Sequence, residues 1–281
     1  MSRHTQSENH SKPNMPSKKV TAASLIQMKK DGAKITAITC YDAAFARIID
    51  NSSIDVVLVG DSLGNVVLGY DSTISVTMDH MTHHTAAVSR AMSRPFLVAD
   101  MPFMSYQCSR TQALENAAKL IQDGMAQAVK LEGGVEIIEV VKAITDAGIP
   151  VVGHLGLTPQ KIHAIGGFKV QGRGDGADKL LSDALALEKA GVCALVLELV
   201  PQNLAQKLTQ TLHVPTIGIG AGVHTDGQIL VLHDMLGFDS GFKPKFLKTY
   251  CDLNEIVHNA LEQYAEDVRS KSFPDSAHSF D

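Results

Sequence analysis

Three stretches of the chain share one order of positions: a helical pattern of apolar residues, a glycine, and then a short apolar run. They are AAKLIQDG followed by MAQAVKLEGG, EVVKAITDAG followed by IPVVGHLGLT, and ALALEKAG followed by VCALVLELVP. Gly124, Gly148 and Gly191 stand where a glycine commonly ends a helix. Short apolar runs that alternate with helices predict parallel strands covered on both faces.

Extended along the chain, the same pattern gives eight candidate strands. They lie at residues 34–42, 55–62, 94–103, 128–134, 149–158, 193–201, 214–222 and 227–234. Eight strands joined mostly by helix-length segments within roughly 200 residues predict a (β/α)8 TIM barrel. The alternative is an open doubly wound sheet, but the segment GIGAGV has Val223 where the third glycine of a dinucleotide-binding turn belongs. Residues 247–270 carry a helical apolar pattern and predict a C-terminal helix.

The length suits one large domain or two small ones, and the composition is that of an ordinary soluble globular protein. We expect residues 1–20 to form a disordered tail and residues 21–281 a single barrel domain that ends in the C-terminal helix. The chain is 44% hydrophobic and 20% charged, and its formal net charge of -5 argues against a nucleic-acid partner. No apolar run reaches the ~18 residues of a membrane-spanning helix, and the polar N-terminus lacks the apolar stretch of a secretory signal.

The four cysteines indicate a reducing compartment. Cys40, Cys108, Cys193 and Cys251 are far apart in the sequence and form no zinc-binding or CxxC spacing. We therefore expect reduced, packed thiols in a cytoplasmic protein. A mitochondrial transit peptide is a weaker alternative for the Ser-rich N-terminus, which has one arginine and no amphipathic pattern.

Charged residues lie near the C-terminal ends of five consecutive candidate strands. In order they are Asp61, Asp100, Lys130 with Glu132, His154, and Glu198. Active sites of barrels lie at this end of the strands. Alternate strand residues share a face, so Val57, Val59 and Asp61 should point the same way, as should Phe96, Val98 and Asp100, and Val196 and Glu198. We expect all these charges to converge in one basin.

The segment AVKLEGG places two charges, Lys130 and Glu132, on one face of a buried strand. Burying a charge without a partner is costly, so the pair is either a structural ion pair or part of an active site. Asp61, Asp100 and Glu132 would supply three carboxylate ligands from neighbouring strands, and hard oxygen ligands without cysteine favour Mg²⁺. The structural alternatives are an ion-pair network around Lys130 and a helix cap at Asp61. Carboxylates at four of five consecutive strands favour the active site.

Other polar residues carry weaker signals. His80 and His84 have the spacing of a zinc-binding helix but lack the glutamate of the HExxH motif, so a partly buried helix face is the simpler interpretation. His154 either binds substrate or satisfies a hydrogen bond in the core. The glycine-rich segment of residues 156–176 is long for a loop in a compact domain, which favours a lid from which Lys169 and Arg173 reach an anion.

Several segments together closely resemble the ketopantoate hydroxymethyltransferase family (3-methyl-2-oxobutanoate hydroxymethyltransferase). They are TCYDAAFA, VGDSLGNVVLGYDST, VTMDHMTHHTAAV, VADMPFMSY, VKLEGG, GHLGLTPQ, GGFKVQGR, LVLELVP and IGIGAGVHTDGQILVLHD. The resemblance extends from about Thr21 to FPDSAHSF near the C-terminus. The chain departs from the family pattern at Phe168 and Leu199 and near SYQCSRTQ, and none of these departures falls on a residue with an implied role.

The resemblance implies a (β/α)8 barrel that transfers a one-carbon unit from 5,10-methylenetetrahydrofolate to 3-methyl-2-oxobutanoate and forms 2-dehydropantoate in pantothenate biosynthesis. It implies Mg²⁺ on Asp61, Asp100 and Glu132. It places the keto acid on Asp61, Ser62, Asp100 and Lys130, and it assigns Glu198 as the catalytic base. It also implies a homo-oligomer, typically a decamer of two five-membered rings, with small molecules and no nucleic acid or membrane as partners.

Two other functions stay open at this point. One is a related Mg²⁺-dependent barrel lyase that acts on the carbon–carbon or phosphorus–carbon bond of another 2-oxo acid, and a requirement for methylenetetrahydrofolate separates it from the transferase. The other is a barrel that only binds ligands or assembles with other chains. The presence of all the proposed catalytic residues argues against this hypothesis.

Overall fold

Eight parallel strands close into a barrel in their order along the chain, and helices alternate with them. The computed structural model describes residues 18–238 and 244–280. The strands are β1 Ile35–Thr39, β2 Val56–Val59, β3 Phe96–Asp100, β4 Ala128–Glu132, β5 Val151–Gly156, β6 Ala194–Glu198, β7 Thr216–Ile219 and β8 Gly227–Leu230. Each lies inside one of the eight predicted segments, which confirms the TIM barrel and excludes the open sheet.

The longer helices between strands pack on the outside of the barrel, and the described residues form eleven α-helices in all. They are α1 Ala22–Lys30, α2 Ala43–Asp50, α3 Leu63–Val66, α4 Met78–Ser89, α5 Arg110–Gln122, α6 Ile138–Asp146, α7 Ile162–Ile165, α8 Gly176–Ala190, α9 Gln202–Thr211, α10 Leu232–Met235 and α11 Leu253–Ser270. The predicted C-terminal helix is α11, whose apolar residues Ile256, Leu261 and Tyr264 are exposed in the single chain. Among the described residues, no helix is long and apolar enough to cross a membrane.

The alternation of strand residues separates two apolar cores. Val98, Val152 and Val196 fill the interior of the barrel, while Leu97 and Val129 pack between the strands and the helices. Apolar residues therefore occupy both faces of the strands, as expected for a parallel sheet that helices cover. Below the C-terminal ends of the strands the interior is filled with side chains, so polar groups that point inward collect at one end.

The interior core also includes Val20, which precedes α1 and is 7% exposed. Its N–H donates to the carbonyl of Arg94 at 2.9 Å. The barrel therefore includes the last residue of the predicted tail. Residues 1–17 lie outside the described residues, and the disorder predicted for them stays a prediction.

Two details of the sequence interpretation are corrected. Gly148 and Gly191 follow α6 and α8 in the left-handed conformation, as predicted, and Gly124 likewise follows α5, but its φ is not positive. A Cβ at Gly124 would lie 2.5 Å from the carbonyl oxygen of Leu120, so this glycine permits a close approach. All four cysteines are free, as predicted, but only Cys40 and Cys193 are buried, whereas Cys108 and Cys251 are exposed.

Candidate active site

The predicted charged residues converge at the C-terminal ends of β2 to β6. Register pairs Asp100 with Lys130 across β3 and β4, and Glu132 with His154 across β4 and β5. These four side chains and Asp61 are each at most 4% exposed. We call these five residues together with Glu198 the carboxylate cluster. Its members come from consecutive strands, so the closed barrel brings them together.

Asp61 reaches the carboxylate cluster by a different route from the one predicted. Val57 and Val59 point outward and pack between the strands and the helices, whereas Val56 and Leu58 face the barrel interior. The predicted common face of Val57, Val59 and Asp61 is therefore wrong. β2 ends at Val59, and the turn that follows directs Asp61 back over the barrel. The alternation predicted for β3 and β6 is correct, because Phe96, Val98 and Val196 face the interior.

Lys130 lies at the centre of the carboxylate cluster. Its ammonium is 2.9 Å from Asp100 Oδ1 and 3.9 Å from Glu132 Oε1, and it lies 3.1 Å from Nδ1 of His154. Burial lowers the pKa of Lys130, but the charges of Asp100, Glu132 and Asp61 outweigh burial and raise it. The side chain is therefore a fixed cation. The ion pair that the sequence offered as the structural alternative exists, and it lies inside the cluster.

His154 connects two carboxylates. Its Nδ1 is 3.3 Å from Glu132 Oε1, and its Nε2 is 3.2 Å from Glu198 Oε2. Burial and the charge of Lys130 lower the pKa of His154, but the neighbouring carboxylates of Glu132 and Glu198 raise it to about 9. The ring therefore lies between two carboxylates, with its Nε2 near Glu198 but without a hydrogen bond of good geometry to it. Glu198 is the most exposed carboxylate of the cluster, with 15% of its side chain exposed, so it is the one that a substrate can reach most easily.

Asp61 and Asp100 are buried carboxyls in surroundings that disfavour their charged forms. Burial and the charges of Asp100 and Glu132 raise the pKa of Asp61 well above its usual range. Burial also raises the pKa of Asp100, even though Lys130 lowers it. Asp100 Oδ2 accepts the N–H of Asp61 at 2.9 Å. Both carboxylates are thus held close together at an energetic cost, which is typical of functional sites.

Gln160 is a central residue of the site that the sequence analysis did not single out. Its amide donates to Asp61 Oδ2 at 2.9 Å and to the carbonyl of Met101 at 3.0 Å. Its backbone N–H donates to Glu132 Oε2 at 3.0 Å. Tyr106 lies with its hydroxyl 2.8 Å from Gln160 Oε1 and accepts the N–H of Glu132 at 3.1 Å. The sequence could have indicated this residue, because Gln160 is the last residue of GHLGLTPQ, one of the segments that resemble the family.

Ser62 lies at the edge of the cluster. Its Oγ is 2.9 Å from the hydroxyl of Tyr41, a buried residue that follows β1. A Cβ at Gly60 would lie 2.7 Å from Ser62 Oγ and 3.4 Å from Asp100 Oδ2. Glycine at this turn therefore lets the side chains of Ser62 and Asp100 lie close to the backbone of residue 60.

The weaker candidates lie elsewhere. His80 accepts the N–H of Thr77 and caps α4, while His84 Nδ1 is 2.7 Å from the carbonyl of Tyr41, so the helix-face interpretation fits both. In the glycine-rich segment, Lys169 Nζ is 3.4 Å from the carbonyl of Ile165. Among the described residues, no hydrogen bond or ion pair joins Lys169 or Arg173 to the carboxylate cluster. The lid stays a prediction.

The donor chemistry of the cluster fits a hard divalent cation. Asp61, Asp100, Glu132 and Glu198 bring four carboxylates, against two cationic side chains, Lys130 and His154. Oxygen ligands of this kind are those that Mg²⁺ prefers. Within residues 18–238 and 244–280, no three His, Cys, Asp or Glu side chains already surround one point as a metal cage. Lys130 and Gln160 hold the carboxylate oxygens instead.

The fold is that of a (β/α)8 barrel, and the buried cluster lies at the C-terminal ends of the strands, where active sites of such barrels lie. A profile described as ketopantoate hydroxymethyltransferase matches residues 19–276. The chain therefore belongs to the ketopantoate hydroxymethyltransferase family, and it is a transferase. This result confirms the resemblance found in the sequence.

Curated relatives agree with the family. A 3-methyl-2-oxobutanoate hydroxymethyltransferase from Thermoanaerobacter sp. (strain X514) is 59% identical over 263 residues, which cover 93% of this chain and 96% of that protein. The enzyme of the same name from Syntrophus aciditrophicus (strain SB) is 54% identical over 94% of this chain and 97% of its own.

Solved structures repeat the architecture. A phosphoenolpyruvate phosphomutase from Streptomyces platensis subsp. rosaceus superposes with a TM-score of 0.62 over 91% of each chain. Only 15% of the aligned residues are identical, so this likeness concerns the fold alone.

Proposed function

We propose that the chain transfers a hydroxymethyl group from 5,10-methylenetetrahydrofolate to 3-methyl-2-oxobutanoate and forms 2-dehydropantoate. The substrate follows from the names of the relatives, and the carboxylate cluster supplies groups suited to this chemistry. The observation that carries the proposal is the placement of Glu198 beside a buried set of three carboxylates and a lysine, with His154 Nε2 at 3.2 Å from its Oε2. The balanced reaction also consumes one water, which supplies the hydroxyl oxygen, and releases tetrahydrofolate.

Asp61, Asp100 and Glu132 would hold Mg²⁺ when it is bound. The cation supplies Lewis-acid chemistry, which stabilises negative charge on the keto oxygen of a 2-oxo acid. Binding requires the carboxylate oxygens to exchange their present contacts with Lys130 and Gln160 for the metal. The unfavourable burial of Asp61 and Asp100 supports this exchange, because a cation removes their mutual repulsion.

The cationic residues position the keto acid. Lys130 is a buried ammonium that can pair with the substrate carboxylate or with charge that develops on the keto oxygen. Ser62 offers a hydroxyl at the edge of the cluster, where Tyr41 orients it. His154, which the sequence left between substrate binding and a core role, acts through Glu132 and Glu198.

Glu198 is the proposed base. It accepts the proton from C3 of the keto acid, and the electron pair of the broken C–H bond forms the C2–C3 double bond of the enolate. That carbon then bonds to the methylene carbon, whose two bonds to the folate nitrogens break. Water supplies the hydroxyl group, and the two nitrogens gain one proton from water and the one that Glu198 accepted. A base among the metal-binding carboxylates would be weakened by the cation, whereas Glu198 stands apart from them on β6.

Hydrogen exchange tests the base without the folate. In D₂O with Mg²⁺, the chain should exchange the C3 hydrogen of 3-methyl-2-oxobutanoate, seen by NMR as collapse of the methyl doublet. Glu198→Gln keeps the size of the side chain but cannot accept the proton, so exchange and turnover should fall together by about 10²–10⁴-fold. Glu139→Gln, on the exposed surface of α6, is the matched control and should exchange normally. Exchange at the wild-type rate in Glu198→Gln would refute the assignment.

The same assay separates the other functions. A barrel lyase would consume a 2-oxo acid without methylenetetrahydrofolate, and a purely binding barrel would show no Mg²⁺-dependent exchange. The homo-oligomer, typically a decamer in the resemblance, and the cytoplasmic location stay predictions. The exposed apolar residues of α11 support an assembly, because a face of this kind is usually covered.

A further inference from the structure

A group of aromatic side chains and one carboxylate lies beside the carboxylate cluster, after the ends of β8 and β1. The N–H of Leu232, the first residue of α10, donates to Thr39 Oγ1 at 2.9 Å and fixes α10 against the end of β1. Residues 233 and 234 then lie near the barrel mouth. We call Tyr41, Phe45, His233, Asp234 and Phe238 the aromatic pocket.

Aromatic rings surround His233. Its ring centroid is 5.4 Å from that of Tyr41, 6.1 Å from that of Phe45 and 5.2 Å from that of Phe238. His233, Phe45 and Phe238 are half-buried, so part of their surface stays open. Burial lowers the pKa of His233, which leaves a neutral ring that suits a flat neutral partner.

The aromatic pocket adjoins the carboxylate cluster through Tyr41. The Tyr41 hydroxyl lies 2.9 Å from Ser62 Oγ, next to Asp61 in the sequence. Burial raises the pKa of Tyr41, and the charges of Asp234 and Asp100 add to that effect. Asp234 and Asp100 therefore lie close enough to act on one phenol, one in the aromatic pocket and one in the cluster.

Asp234 has no role in the fold that the described residues reveal. Its carboxylate is half-buried, and burial raises its pKa. Across the described ranges, no side chain or backbone N–H donates to it. A half-buried carboxylate to which no described residue donates is available to accept hydrogen bonds from a ligand.

We propose that the aromatic pocket binds the pterin ring of the folate co-substrate, with Asp234 accepting the N3–H and the 2-amino group of that ring. The proposal rests on the proposed function. A pterin presents these two donors side by side on one edge, which a single carboxylate accepts together. Its flat bicyclic ring packs on His233 and the phenylalanine rings in offset or edge-to-face contacts. The keto acid is an anion that Asp234 repels, so the pocket discriminates between the two substrates.

The placement also serves the reaction. Tyr41 connects the aromatic pocket to Ser62, the residue next to Asp61. A pterin bound on Asp234 therefore brings its one-carbon unit to the side of the barrel mouth formed by β8, β1 and β2. The base, Glu198, approaches from β6.

The test is a binding measurement on the full chain. Tetrahydrofolate is titrated by calorimetry into wild type, Asp234→Asn and the control Asp146→Asn, which removes a charge from the exposed end of α6. Asp234→Asn keeps the shape but replaces one acceptor with a donor, so we expect the dissociation constant to rise about 10–100-fold. The control should bind as wild type does.

Two further measurements make the result specific. A tetrahydrofolate analogue that lacks the 2-amino group should bind wild type more weakly, and Asp234→Asn should no longer distinguish it from tetrahydrofolate. Folate-independent C3 exchange should persist in Asp234→Asn, which shows that the variant is folded and its keto-acid site intact.

The outcomes separate this proposal from the proposed function. Unchanged tetrahydrofolate affinity in Asp234→Asn, or equal discrimination of the analogue by both proteins, overturns the pterin assignment. Loss of C3 exchange together with folate binding also overturns it, because Asp234 would then belong to the keto-acid site or the fold. Absence of exchange in wild type refutes the proposed function instead, whatever the folate titration gives.

Discussion

Gly156 ends β5 where the backbone passes very close to β6. Its φ is +94°, and an added Cβ would lie 2.1 Å from the carbonyl oxygen of Glu198 and 2.8 Å from Cγ2 of Val200. The next N–H, of Leu157, donates to that same carbonyl at 2.8 Å. Alanine at this position must therefore push the end of β6 away, and Glu198 moves with it.

The free energy of unfolding that Gly156→Ala is expected to lose has two parts. A residue with a Cβ in the left-handed region costs about 1–2 kcal/mol, and the loss of glycine entropy in the unfolded chain offsets about 0.4–1 kcal/mol of that. Overpacking against a backbone atom adds about 1–3 kcal/mol. Gly148→Ala isolates the first part, because Gly148 has a φ of +86° but nothing within 4 Å of an added Cβ. The difference between the two variants is therefore the overpacking cost, about 1–3 kcal/mol.

The assay compares denaturant unfolding and C3 exchange for wild type, Gly156→Ala and Gly148→Ala. We expect Gly148→Ala to exchange as wild type does. Gly156→Ala should lose exchange by about 10²-fold, because a displacement near 1 Å of a catalytic group has effects of that order. Equal free energies of unfolding for the two variants, or normal exchange in Gly156→Ala, would refute the argument that this glycine positions Glu198.

Two further predictions concern stability and thiol reactivity. Burial raises the pKa of Asp50, but hydrogen bonds from the Ser93 and Arg94 backbone and from the Ser93 hydroxyl lower it below 3.8. The stabilisation that Asp50 provides is therefore fully present above the pKa that this carboxyl has in the unfolded chain. It is lost as the pH falls through the lower pKa that the carboxyl has in the folded protein. Asp50→Asn should lower the free energy of unfolding by about 1 kcal/mol at neutral pH, with a smaller difference in acid, and an equal difference in acid would contradict this. In a native thiol titration, Cys108 and Cys251 should react first. Burial raises the pKa of Cys40 to about 11 and that of Cys193 to about 12, so labelling of either before unfolding would count against the described packing.

The sequence by itself determined the barrel and much of the carboxylate cluster. Apolar runs between helical segments located all eight strands, and Asp100, Lys130, Glu132 and Glu198 follow from counting along β3, β4 and β6. These inferences succeed because alternation along a strand is a local property, and because parallel strands end at the same side of a barrel. The segments that resemble the family were equally readable without the fold.

Other features required the tertiary structure. Asp61 faces the site through the turn after β2, although strand alternation predicted a different route. Gln160 and Tyr106 come from loops after β5 and β3, and only the closed barrel places them on Asp61 and Glu132. Asp234, which follows β8, comes near enough to act on the pKa of Tyr41, which follows β1, because β8 pairs with β1 across the closure of the barrel. Periodicity stops where a strand stops, so the direction of a loop side chain depends on contacts with residues far away in the chain, which the local sequence does not specify.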